Sequence, residues 1–215
     1  MSRRYDCSDA QDRASGLREA ATAIRRGELV VVPTDTVYGI AADAFSPEAV
    51  GALLAAKGRG RNMPSPVLVG SPTTLHGLVT DFSEQAWELV DAFWPGGLTL
   101  VARHQPSLRW DLGETRGTVA VRMPLHPVVL ELLNATGPLA VSSGNKTGGP
   151  SPSTCDEAQA QLGDAVSIYL DGGTADYGTP STIVDVTGKV PVVLRAGAIS
   201  VEQLREVVPD VEAGS

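Results

Sequence analysis

The sequence predicts an α/β layer fold in a single domain, with a twisted sheet of mixed parallel and antiparallel strands and flanking helices. Three observations predict it. Short apolar runs alternate along the chain with segments that carry helix start and stop signals. The last three apolar runs, at 166–170, 182–186 and 190–194, lie too close together for helical crossovers, so part of the sheet is expected to be antiparallel. No boundary in the 215 residues reads as a linker, and a content of 42% hydrophobic and 20% charged residues suits one sizeable core. The domain is expected at 8–208, with 1–7 and 209–215 as short tails.

The elements follow in order. Residues 8–26 read as a helix: Ser8 or Asp9 can cap it, Leu17, Ala20, Ala21 and Ile24 share a face, and Gly27 stops it. Residues 28–32 form a short apolar strand ending at Pro33. Ser46-Pro47-Glu48 supplies an N-cap, a first-turn proline and a first-turn acid for a helix reaching about Lys57. A buried strand at 66–69 precedes a short helix opened by Ser71-Pro72. Ser83-Glu84 opens another through Phe93, ended by Pro95-Gly96-Gly97. Strands are expected at 98–102 and 118–121, a helix at 127–133 with His126 at its start, and a strand at 138–141. A polar loop over 142–153 leads to a helix near 155–162. After the last three strands, Ser200-Val201-Glu202-Gln203 is a capping box for a final helix.

The formal net charge is −8, which argues against a protein that coats nucleic acid or an anionic membrane. The charge is unevenly placed: residues 1–47 carry −1, residues 48–155 carry 0 and residues 156–215 carry −7. No acid occurs between Glu48 and Asp81, where Lys57, Arg59 and Arg61 sit. Two cysteines, Cys7 and Cys155, make no disulfide framework and lack metal-ligand spacing, which fits a reducing cytosol. Arg3-Arg4 is shared with twin-arginine export signals, but Asp6, Asp9 and Asp12 follow and no apolar stretch does. No apolar run approaches a membrane span, so a cytoplasmic location without membrane contact is expected.

Familiar catalytic templates fail. Ser143-Gly144-Asn145-Lys146-Thr147 resembles the tail of a P-loop, but asparagine replaces the glycine before the lysine. No G-x-G-x-x-G follows a strand, and His76, His104 and His126 are scattered. What remains is a set of loops at strand ends. Pro33-Thr34-Asp35-Thr36-Val37-Tyr38-Gly39 places several hydroxyls where α/β sheets bind ligands. Lys57-Gly58-Arg59-Gly60-Arg61-Asn62 joins cations to glycines and suits a polyanion such as a triphosphate. The glycine-rich loop at 142–152 offers amides for an anion nest. Thr118 and Arg122 lie on one strand at an even offset and share a face, and a buried arginine there needs an anionic partner. Arg195 after Val192-Val193-Leu194 poses the same question.

Seven segments in this order resemble the YrdC-like family, and within it the short bacterial threonylcarbamoyl-AMP synthases (TsaC type). They are the 33–39 loop, Lys57-x-Arg59, Trp94-Pro95-Gly96-Gly97-Leu98-Thr99, Thr118-Val119-Ala120-Val121-Arg122-Met123-Pro124, Ser143-Gly144-Asn145, Pro180-Ser181-Thr182-Ile183-Val184-Asp185 and Leu194-Arg195-Ala196-Gly197. Where the family commonly has a histidine after the basic loop, this chain reads Pro66-Val67-Leu68-Val69-Gly70. The resemblance implies a YrdC-like catalytic domain and a nucleotidyltransferase that makes L-threonylcarbamoyladenylate and pyrophosphate from L-threonine, bicarbonate and ATP. It implies Lys57, Arg59, Ser143 and Asn145 as catalytic residues, with Lys57 facing the phosphates. Arg59, Asn62 or Met63, Thr118, Asn145, Ser153 and Arg195 would contact ATP, and Thr34, Arg122, Ser143 and Ser181 would hold threonine. No dedicated metal site is expected, Mg2+ arriving with ATP. A threonylcarbamoyl transferase would use the product on tRNA, to which this chain's own contact would be weak.

Two other readings stay open on the residues alone. One is an RNA-binding, translation-associated module without ATP turnover, against which the net charge weighs. The other is the related carbamoyl-adenylate chemistry of hydrogenase maturation, where the domain belongs to a much longer chain.

Overall fold

The helices longer than one turn start behind side chains that accept the unpaired amides of a first turn. The structure, a computed structural model, describes residues 2–214. After strand β1 (Arg3–Asp6), helix α1 (Ala10–Arg25) begins at Asp9, whose carboxylate accepts from the amides of Gln11 and Asp12. Strands β2 (Val30–Val32) and β3 (Gly39–Asp43) flank the 33–39 loop, and α2 (Pro47–Lys57) starts at Ser46, which accepts from Ala49. Then come β4 (Val67–Leu68), the short α3 (Leu75–Leu78), β5 (Val79–Thr80) and α4 (Glu84–Phe93), capped by Ser83. Strands β6 (Leu98–His104) and β7 (Thr118–Arg122) lead to α5 (Pro127–Thr136), where His126 accepts from the Val128 amide. Strand β8 (Leu139–Ser143) and α6 (Cys155–Leu162) follow, then β9 (Ile168–Asp171), β10 (Thr182–Asp185), β11 (Val192–Arg195), α7 (Val201–Val207) and β12 (Glu212–Ala213). Both α6 and α7 carry complete capping boxes, Thr154 with Glu157 and Ser200 with Gln203.

The strands form one mixed sheet in the order β1-β9-β2-β3-β8-β4-β7-β6-β10-β11-β12, with β5 beside the far end of β6. Three expectations need correction. The last three strands are not neighbours as a group: β10 and β11 pair antiparallel, but β9 lies between β1 and β2, parallel to both. Strand β3 was not expected, because Gly-Ile-Ala-Ala-Asp carries one large apolar residue. It is wedged between β2 and β8, where small residues are required: a Cβ on Gly39 would lie 2.6 Å from Val141 Cγ1. The segments expected as tails hold β1 and β12, which close the two edges of the sheet. Exposed Arg3, Arg4 and Asp6 are the charged side chains that suit an edge.

The two faces of the sheet are covered unequally. On one face α2, α3, α4, α6 and α7 pack onto a continuous core that includes Tyr38, Ile40, Leu53, Leu89, Leu98, Leu100 and Tyr169. On the other, α1 and α5 cover the strands from β1 to β4, burying Val30, Val32, Ala41, Leu68, Leu139, Val141 and Ile168, with Tyr5 of β1 packed against them. The rest of that second face, carried by β7, β6, β10 and β11, has no helix on it among the described residues.

Candidate active site

The uncovered half-face is the floor of a cleft of about 340 Å3. Ala120 and Arg122 reach it from β7, Thr99 and Val101 from β6, Ile183 from β10, and Leu194 and Arg195 from β11. A β-bulge explains how two adjacent residues of β11 reach the same side. Ile183 pairs with Arg195 and Val184 with Val193, so Leu194 is an extra residue. Leu194 and Arg195 are therefore both exposed on the cleft side. The 33–39 loop, Arg59, Pro64 and the start of the 142–153 loop form the walls.

The wall loops are fixed by backbone hydrogen bonds. Tyr38 donates its amide to Pro152 O at 2.8 Å and accepts from the Gly144 amide at 2.8 Å. Within the 33–39 loop the Thr34 hydroxyl donates to Val37 O at 2.6 Å and accepts from the amides of Thr36 and Val37. Thr34 lines the cleft, but its hydroxyl is occupied in shaping the turn. The phenol of Tyr38 donates to Gly173 O at 2.5 Å and accepts from the Gly172 amide at 3.0 Å.

Arg122 has the anionic partner that its position on an apolar strand demanded. Its Nη2 donates to Asp35 Oδ1 at 2.5 Å, its Nη1 to Thr36 Oγ1 at 2.7 Å and its Nε to Gly96 O at 2.8 Å. Asp35 is 1% exposed, and its Oδ1 also accepts from the Leu125 amide at 2.9 Å. Its Oδ2 has no partner. Three of the guanidinium's five N–H groups are used, leaving two for a ligand.

Arg59 donates to the Ser142 hydroxyl at 2.9 Å, and its Nε is buried without a partner. Arg195 donates to Ser181 O at 2.7 Å and to the Ser181 hydroxyl at 3.2 Å, while that hydroxyl also meets Thr99 Oγ1 at 2.8 Å. Burial disfavours the charged form of Arg59, Arg122 and Arg195, and Arg59 adds to the effect at Arg195. Among the described residues no carboxylate lines the cleft. Three cations thus stand around one cavity with only Asp35 behind them, an arrangement relieved when an anion enters.

Lys57, expected to face phosphates, is 3% exposed and turned into the protein. Its ammonium donates to Asn145 O at 2.6 Å and also to Ser143 O, clamping the loop that follows β8. Burial, with a smaller contribution from Arg59, brings its pKa down to about 8. The same loop is not the open anion nest expected of it. The amides of Gly144, Lys146, Thr147 and Gly149 go to Tyr38 O, Gln161 Oε1, Lys57 O and Lys146 O. Positive charge in the cleft therefore comes from side chains.

The structure brings Thr34, Arg59, Arg122, Ser143, Ser181 and Arg195 together around the cleft. Lys57, Asn62, Met63, Thr118, Asn145 and Ser153 are not among its lining residues. Asn145 is buried, donating to Lys146 O and Gly149 O while its Oδ1 lacks a partner. Thr118 donates its hydroxyl to Thr115 O, Ser153 gives its amide to Glu157, and Asn62 and Met63 are exposed. The sequence placed Asp35, Thr36, Thr99, Ser142 and Ser151 in candidate segments but assigned none of them an individual role. The signal for Asp35 was Arg122's need of an acid, but 87 residues separate the two.

Among the described residues no group of three His, Cys, Asp or Glu side chains could hold a metal ion, and no helix is long and apolar enough to cross a membrane. The half-covered sheet with a cationic, carboxylate-free cleft on its bare side defines a class: α/β proteins that bind a small polyanionic substrate. The comparisons specify the class. Residues 22–197 match the Sua5/YciO/YrdC family, described as "Telomere recombination", and the chain belongs to that family.

A Mycobacterium tuberculosis protein, provisionally named a threonylcarbamoyl-AMP synthase, is 55% identical over 207 residues, covering 96% of this chain and 95% of that one. The threonylcarbamoyl-AMP synthase of Bacillus subtilis is 36% identical over 194 residues, covering 89% of this chain and 56% of that longer one. The crystal structure of Pyrococcus abyssi Sua5 complexed with L-threonine superposes with a TM-score of 0.92 at 32% identity, over 100% of this chain and 62% of that one. Escherichia coli YciO shares the fold, with a TM-score of 0.84 at 23% identity over 95% of this chain and 100% of that one.

Proposed function

We propose that the cleft makes L-threonylcarbamoyladenylate from L-threonine, bicarbonate and ATP. The observation that carries this reading is the trio Arg59, Arg122 and Arg195 around a cleft that no carboxylate of the described residues lines. The chemistry needs that charge. Threonine's amine and bicarbonate give a carbamate with loss of water, and a carbamate oxygen attacks the α-phosphorus. The bond from that phosphorus to the bridging oxygen breaks, and pyrophosphate leaves. Negative charge gathers on phosphoryl oxygens, so positioning and fixed cations contribute more than an acid–base pair.

In this reading Arg122, oriented by Asp35 and Thr36, gives its two free N–H groups to threonine's carboxylate, with Ser143 and Ser181 beside it. Arg59 and Arg195 meet the phosphates. The apolar tiles Val101, Ala120, Ile183 and Leu194 suit the flat face of a nucleobase. Lys57 and Asn145 act by holding the 142–153 loop. Thr118, Ser153 and the Asn62–Met63 pair lie outside the cleft lining and would reach ATP only at its edge. Mg2+ would enter as the ATP chelate, because Asp35, the acid beside the cleft among the described residues, is bound to Arg122. The product is a labile mixed anhydride that a threonylcarbamoyl transferase acting on tRNA would consume, and this chain's own tRNA contact is weak.

Pyrophosphate release from ATP, measured with threonine and bicarbonate each omitted in turn, tests the reading. Release is expected only when both are present, and release that ignores either omission overturns it.

A further inference from the structure

Strand β1 lies at the sheet edge, outside the 22–197 segment that matches the family, yet it is wired to the wall of the cleft. Arg4 donates from Nη2 and Nε to Asp171 Oδ2, at 2.6 and 3.2 Å, and from Nη1 to Asp156 at the start of α6. The other oxygen of Asp171 accepts from the Gly173 amide at 3.0 Å and lies 3.2 Å from the phenol oxygen of Tyr38, whose single proton is shared between it and Gly173 O. That phenol is the node described above, bonded to both Gly172 and Gly173. The Tyr38 backbone is bonded to Pro152 and Gly144, one on each side of the 142–153 loop. The ring is fully buried, so it has no alternative partner in water.

We propose that Arg4 is a positioning residue of the cleft, acting through Asp171 on Tyr38 and so on the two loops that Tyr38 joins. Without Arg4, the Asp171 carboxylate at the end of β9 loses its cation and turns toward solvent. Tyr38 then keeps only its bonds to Gly172 and Gly173, and the 33–39 wall loosens against the 142–153 loop. The strand that bears Arg4 is thereby part of the site's support, although none of its residues lines the cleft.

The inference rests on the proposed synthase reading, so its test needs one arm that works without turnover. In the full chain, Arg4→Met, Arg4→Lys, Tyr38→Phe and the double variant Arg4→Met/Tyr38→Phe are compared. Amide hydrogen exchange of Gly144, Gly172 and Gly173 is read without substrates, and kcat and KM for threonine are read by pyrophosphate release. Arg4→Met is expected to speed exchange at those amides and to lower kcat about tenfold, as small misplacements of reacting groups do. Arg4→Lys should recover part of both effects, and the double variant should match Tyr38→Phe alone. Unchanged exchange and kcat in Arg4→Met overturn the proposal, as does strict additivity with Tyr38→Phe. Faster exchange in a protein that shows no threonine-dependent release would uphold the wiring and sink the synthase reading instead.

Discussion

The two halves of one sheet face have opposite fates. From β9 to β4 the side chains are aliphatic and lie under α1 and α5, while from β7 to β11 the same face carries Arg122, Thr99, Arg195 and a few apolar tiles in the open. Alternation along the strands is similar in both halves. The difference is where the helices land, and it separates a region that stabilises from a region that binds. Substitutions under the helices should cost stability and leave turnover per folded molecule alone. Substitutions on the bare half should do the reverse, except where an ion pair is buried.

The largest expected effect is on the bare half. Arg59→Ala should lower threonine-dependent pyrophosphate release at least about 10²-fold with little change in the thermal midpoint, the scale of removing one fixed charge-stabilising donor. Near-normal turnover would erase the distinction between the halves. Asp35→Ala tests the exception. It leaves Arg122 buried and unpaired, so denaturant unfolding should show a loss of about 3–5 kcal/mol together with a raised KM for threonine. Under the helices, Leu132→Ala should cost about 2–5 kcal/mol while kcat and both KM values stay put. A changed KM there would mean that the helix-covered half also shapes the cleft.

Smaller effects sharpen the boundary. Lys57 titrates near 8 instead of 10.5, so the folded state binds fewer protons than the unfolded chain between those values. Its desolvation cost is complete below about pH 8 and is relieved as pH rises toward 10.5, so this group raises stability with pH across that window. Over the same rise the ammonium that clamps the 142–153 loop is lost, so KM for ATP should climb above pH 8 in the native protein but stay flat in Lys57→Met. The smallest effect belongs to Leu194→Ala, which should raise KM for ATP about threefold, since a half-exposed side chain contributes only part of its transfer free energy.

Helix starts were legible in the sequence because capping is local: Asp9, Ser46, Ser83, His126, Thr154 and Ser200 each act within three residues. The cationic character of the cleft was legible from Arg59, Arg122 and Arg195, whose positions do not depend on knowing their partners. Which acid Arg122 would pair with and which carbonyls Lys57 would clamp was not, because those partners lie at sequence separations of 86 to 88 residues. Strand β3 escaped because its residues are small for the sake of a neighbour that only the fold reveals. The bare half-face was invisible for the same reason: nothing in β7 or β10 states that no helix will cover it.

The bulge in β11 gives the cleft something a regular strand cannot. In ordinary pleating, two side chains on one face are two residues apart, so a grease-like surface and a charge sit on separate rungs. Here the rung opposite Ile183 carries both, a hydrocarbon at Leu194 and a guanidinium at Arg195. That is an amphiphilic tile one residue wide, matched to a ligand whose flat apolar part and anionic part are joined by a short sugar. Deleting Leu194 would leave every neighbouring residue in place in the sequence and still dismantle the tile.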